Sequence, residues 1–172
     1  MWDEIADAAA EESALWKDAL LPRDERKLVA VFSPLAQSRF ALGLETIYEG
    51  YLAHYGESRL FAPGDSDFAL LLGDYLYAHG LVRIAAFGET DAVSDLSELI
   101  SLCSQLRAED AEGDGALWAA SAALLGAGSR LDEPRAALRL RGDAGPLEAA
   151  ARAAAGDAAV DKALATHLIL RP

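Results

Sequence analysis

Cysteine occurs once in this chain of 172 residues, as Cys103. One thiol permits no internal disulfide and no cysteine-based metal site. Histidine occurs three times and widely spaced, so metal-ligand pairs at helical spacing are missing too. Basic residues are few, 15 against 28 acidic ones, for a formal net charge of −13. Such a chain repels a nucleic-acid backbone and an anionic membrane surface, which excludes general nucleic-acid binding. The acidic excess reads as the solubilising coat of a helical surface. Neither a P-loop nor a dinucleotide-binding glycine fingerprint occurs, and no Gly-x-Ser-x-Gly elbow. The N-terminus has no basic stretch followed by an apolar one, so it is not expected to be a secretory signal, and the expected location is cytoplasmic. No apolar run is free of charge for long enough to predict a transmembrane segment.

What is present favours helix. Hydrophobic residues make up 52% of the chain and alanine is abundant, while valine and isoleucine are sparse and aromatics reach only 8%. The length suits one domain with a sizeable core. Residues 2–20 form an amphipathic pattern that Pro22 ends, followed by a charged connector at 23–27. Pro34 breaks the apolar run 28–32, and periodicity returns over 35–55 with Phe40, Leu44, Ile47, Tyr48 and Tyr51 on one face. Gly56 suits the end of that helix, and 58–67 is a loop whose Asp65, Ser66 or Asp67 can cap the next. Further helices are expected over 91–107, capped by Thr90 or Asp91, then over 116–127, 133–140, 146–155 and 157–168. Cys103 falls on the apolar stripe of the first of these and reads as a small core residue. The prediction is an all-α, single-domain helical bundle over residues 1–172, with about seven to nine helices.

The stretch 68–87, FALLLGDYLYAHGLVRIAAF, is apolar almost all the way round, which predicts burial on every side. Asp74, His79 and Arg83 interrupt it. Tyr75, His79 and Arg83 fall at i, i+4 and i+8 along one line, so Asp74, Tyr75, His79 and Arg83 are the candidate pocket or interface residues. Gly73 and Gly80 lie seven apart, as do Gly43 and Gly50, a pattern that suggests close helix crossings. Elsewhere the chemistry is thin. Asp110, Glu112, Asp114 and Gly115 take positions of a calcium loop, but Ser121 stands where its bidentate acid belongs, so 109–115 reads as a solvated acidic turn. Asp65 and Asp67 before a helix read as caps. No catalytic residue, metal ligand or cofactor is expected.

The run ALLLGDYLYAHGLVRIAA, with Gly73-Asp74 inside an apolar helix, resembles a helix of trans-polyprenyl diphosphate synthases. Residues 88–128 are similar in order, spacing and character to that family's next two helices. The chain looks closest to the small, non-catalytic subunit of hetero-oligomeric heptaprenyl diphosphate synthases. The resemblance covers roughly 65–128 and implies a shortened form of the isoprenoid-synthase-like fold. The family's Asp-rich motifs hold Mg²⁺ around an allylic diphosphate, and no Asp-Asp pair occurs anywhere in this chain. Its basic diphosphate-binding motif is vestigial at 23–27. What the resemblance implies is therefore a non-catalytic subunit that partners a catalytic polyprenyl synthase subunit. The alternative is a homodimeric helical interaction module with no prenyl role. The C-terminal THLILRP leaves apolar residues at the end of the chain that a second subunit would cover.

Overall fold

Helix-forming composition and the turn residues between periodic segments give an all-α bundle. The computed structural model describes residues 1–171. Nine α-helices occur among them: α1 Trp2–Glu12, α2 Ala14–Asp18, α3 Ala41–Tyr55, α4 Ser66–Ala85, α5 Thr90–Ala108, α6 Asp114–Ala123, α7 Asp132–Arg141, α8 Gly145–Ala155 and α9 Asp157–Leu170. The all-α, single-domain expectation holds. None of these helices is long and apolar enough to cross a membrane.

Local chemistry explains where the boundaries depart from the periodicity. The predicted helix over 2–20 is two helices, because Ser13 turns extended and its hydroxyl accepts from the Leu15 amide at 3.1 Å, capping α2. Residues 33–40 form two short 3-10 turns before α3 begins. Asp65 is the residue that caps α4, accepting from the Phe68 amide at 2.8 Å. Neither Thr90 nor Asp91 caps α5. Glu89 occupies that position and makes no side-chain cap bond. Gly88 ends α4 with φ +74°, a left-handed turn that suits glycine.

The two glycine pairs meet. A Cβ on Gly50 would stand 2.8 Å from the Gly73 carbonyl oxygen, and one on Gly80 would stand 2.9 Å from that of Gly43. Helices α3 and α4 therefore run antiparallel with backbone against backbone along this seam. Helix α6 forms the other centre of the molecule. Trp118 stacks on Phe32 at 5.6 Å and takes Tyr48 and Tyr51 edge-on, joining α6 to α3. Helices α5, α8 and α9 pack around α6, and Cys103 lies in this core as predicted. A smaller core under α1 and α2 contains Ile5, Ala9, Leu60, Phe61, Leu72 and Leu76. The 58–62 segment is tied to it by backbone bonds from Leu21 to Leu60 and from Ala62 to Ala19.

Candidate functional site

Helix α4 rotates about 100° per residue, so its faces can be read from the numbering. Gly73, Gly80 and Ile84 turn toward α3 and are buried. Tyr75, His79 and Arg83 share the face under α1. The Tyr75 hydroxyl donates to the Ala8 carbonyl at 3.3 Å and its ring stacks on Trp16. Arg83 donates to Thr46 Oγ1 at 2.8 Å and to the Glu4 carbonyl at 3.3 Å. His79 packs edge-on to Tyr75, and partial burial together with the Arg83 charge lowers its pKa. The predicted polar line is thus real as a line, and it is spent joining α1 to α3 and α4.

Asp74 does not belong to that line. Its side chain is 74% exposed and stands 3.3 Å from His54 Nε2 on α3. Burial lowers the His54 pKa, a tendency that the Asp74 charge opposes. The His54 ring stacks on Tyr77 and lies over Gly73, where any Cβ would collide with it.

Burial on every side is not what α4 achieves. Leu70 is 50% exposed, Leu71 61% and Val82 68%. With Asp67, Asp74, Ala78 and Ala85 they make one continuous exposed stripe, because these positions recur every three or four residues. The all-round apolarity of the sequence is therefore two things at once, a buried seam and an open apolar face. A hollow of about 320 Å³ lies at the start of the helix between Leu15, Asp18, Asp65 and Phe68. Another of about 280 Å³, lined by Ala85, Glu89, Thr90 and Val93, lies at its end. Phe87, 46% exposed, stands just after the helix end.

Three buried charge clusters escaped the sequence reading. Arg59 is fully buried between Glu45, at 2.6 Å, and Glu49, at 2.8 Å. Burial disfavours its charge, and the two carboxylates more than offset that, so its pKa is raised. Glu45 also accepts from the amides of Val31 and Ser33, and Glu49 from those of Arg59 and Leu60. This cluster staples the irregular segments on either side to α3. A second joins Arg135 of α7 to Asp95 of α5 at 2.9 Å, while Asp95 caps the turn at the Gly126 amide. The third surrounds Asp114, which is 2% exposed. The 109–115 turn is not wholly solvated: Asp114 starts α6 from the interior and accepts from the Tyr51 hydroxyl. His167 Nε2 stands 3.4 Å from it and Arg171 Nε 3.3 Å, while His167 Nδ1 shares a 2.8 Å hydrogen bond with Tyr48. Burial would raise the Asp114 pKa, but the bonds from His167 and Tyr51 with the neighbouring positive charges outweigh it and hold it low. Burial and the Asp114 charge push the Tyr51 hydroxyl far above its ordinary value.

The only sequence signal for these clusters was Glu45 and Glu49, one turn apart amid apolar residues. Arg59 lies in a predicted loop, and its partners are set by chain folding alone. Among the described residues, no group of three or more His, Cys, Asp or Glu side chains is arranged to hold a metal ion. The fold and its open face define a helical bundle with an unpartnered apolar stripe along α4. No family model, curated protein or solved structure matches this chain.

Proposed function

We propose that the chain is a non-catalytic subunit that pairs with a catalytic polyprenyl diphosphate synthase and influences the length of its product. The observation that carries this reading is the open face of α4. The Gly73-Asp74 helix, on which the resemblance to polyprenyl synthases rests, keeps Leu70, Leu71 and Val82 in solvent after its own bundle is complete. An apolar stripe of that kind marks a surface that another chain covers. The charged side chains of the interior support the non-catalytic half of the reading. Allylic diphosphate ionisation needs positive charge gathered at the leaving group. Here Arg59 and Arg135 are committed to internal carboxylates.

A homodimeric interaction module is the second reading. It draws on Leu168 and Ile169, 61% and 74% exposed at the end of α9. Co-expression with a catalytic synthase from the same genome tests the first. Prenyltransferase activity that neither chain has alone is the expected outcome, and failure to co-purify defeats it. A stable homodimer indifferent to the synthase supports the second.

A further inference from the structure

The open face of α4 has a definite chemistry. Its apolar positions are Leu70, Leu71, Ala78, Val82 and Ala85, and its two charges, Asp67 and Asp74, are both acidic and seven residues apart. The stripe runs for about 27 Å at ~1.5 Å per residue. A hollow of about 280 Å³ opens beside Ala85 at the far end of the stripe, while the hollow at the start of the helix, bordered by Asp18 and Asp65, lies beside Phe68 on the side covered by α2. A ridge of small and branched side chains with a recess at its far end is a shape that accepts a helix laid along it.

We propose that this face docks one amphipathic helix of a different chain, apolar along one side and carrying lysine or arginine opposite Asp74 and Asp67. The proposal rests on the partner-subunit reading and adds which face docks and what the partner must present. Charge decides between occupants. A second copy would bring the same two aspartates to the seam, against a background of −13 on each chain. An anionic membrane surface meets the same repulsion. A basic helix is attracted instead, and it neutralises Asp74, which the fold meets only with the partly buried His54. A bulky side chain near one end of that helix would occupy the hollow beside Ala85.

The test uses the full chain and a labelled peptide of about 20 residues, which as a helix spans ~30 Å. Leucine lies along one face of the peptide, with lysine at every second turn beside it. A sister peptide has glutamate in place of lysine. Fluorescence anisotropy is expected to show saturable binding of the basic peptide and at least a tenfold weaker response to the acidic one. Leu71→Glu and Val82→Glu should each weaken binding by about tenfold or more, since each loses a buried aliphatic contact. Asp74→Lys should reverse the preference between the peptides. Leu140→Glu, remote on α7 and 76% exposed in the parent chain, should leave binding unchanged. Circular dichroism checks that each variant is folded, with Val82→Gln as the milder replacement.

No binding of the basic peptide, equal binding of both peptides, or indifference to Leu71→Glu and Val82→Glu overturns the proposal. A dimer in sedimentation that Leu71→Glu dissociates assigns the face to a second copy instead. Binding to phosphatidylglycerol vesicles that Val82→Glu abolishes assigns it to a membrane. Peptide binding with this pattern, together with no effect on a co-expressed synthase, keeps the docking surface and removes only the prenyl role.

Discussion

Helices α3 and α4 face each other across the glycine seam, both rich in apolar residues and each with two glycines seven residues apart. They end in opposite environments. Every residue of α3 from Gly43 to Leu52 is buried, whereas α4 leaves Leu70, Leu71 and Val82 in solvent. The difference comes from what the chain has left to lay over them. Helix α3 is covered by the 29–33 segment, by α6 through Trp118 and Asp114, by α9 through His167, and by the staple at Arg59. Helix α4 has α3 behind it and α1, α2 and α5 at its sides. The same sequence character means core in one helix and core plus interface in the other. Only the count of covering elements separates them.

The comparison is broken most severely from the α3 side. Arg59→Ala leaves two carboxylates buried without their cation, and removing one member of a buried ion cluster costs about 3–5 kcal/mol. Urea denaturation should show that loss. Adding Glu45→Gln and Glu49→Gln should restore part of it, because the charges that needed compensation are then gone. Next in size is the seam. Gly50→Ala drives a Cβ toward the Gly73 backbone oxygen, where no side chain can move aside. Overpacking of this kind costs about 1–3 kcal/mol, more than the helix propensity gained. Gly80→Ala should behave alike against the Gly43 carbonyl, while Ala78→Leu, two residues away on the open face, should stay within about 0.5 kcal/mol.

The Asp114 cluster gives a smaller effect with a definite pH signature. Its carboxyl is held below its ordinary value in the fold. A depressed acid contributes stability that is complete above the unfolded pKa, about 3.9, and is lost as pH falls through the lower folded value. Thermal melts should therefore fall away below about pH 4 in the parent chain. Asp114→Asn should flatten that limb and, near neutrality, cost about 1.5–3 kcal/mol for its charge-assisted hydrogen bonds. His54 and His79 act in a higher range with the same sign. Both pKa values are lowered, so the unfolded chain takes up protons first and stability declines as pH drops below about 6.5.

The bundle was legible in the sequence because helix periodicity, prolines and loop glycines are local signals. The apolar stretch 68–87 and the observed α4 differ by two residues at each end, and Asp65 is among the caps the sequence offers. The break at Ser13 is hidden in the sequence because the apolar period runs through it, and only the capping bond reveals the restart. The line Tyr75, His79 and Arg83 was readable from spacing, but its role was not, since the three groups that occupy it are backbone carbonyls of Ala8 and Glu4 and the Thr46 hydroxyl. Asp74 stands out in the sequence as a carboxylate within an apolar helix, and it precedes that line by one residue. One residue is about 100° of helix, enough to move it from under α1 to the open face. Asp114 read as part of a solvated turn because an acidic run normally is one, and its partners lie 63 and 53 residues away at Tyr51 and His167.

The smallest effect sharpens the comparison most. Leu71→Glu and Val82→Glu on α4 should each leave stability within about 0.5 kcal/mol of the parent, since they replace side chains that already face water. Leu44→Glu or Leu52→Glu on α3 should unfold the chain, because each would place a carboxylate without a partner in the core. If the α4 variants also prove strongly destabilising in dilute solution, the face is covered within the isolated chain and is not an interface. If they are neutral to folding yet change association, apolar character beyond the needs of the bundle has been kept on α4 for another chain to bury. That pairing of results, silent in denaturation and large in binding, separates an interface from a core, and the two helices of the seam provide both halves of the measurement in one molecule.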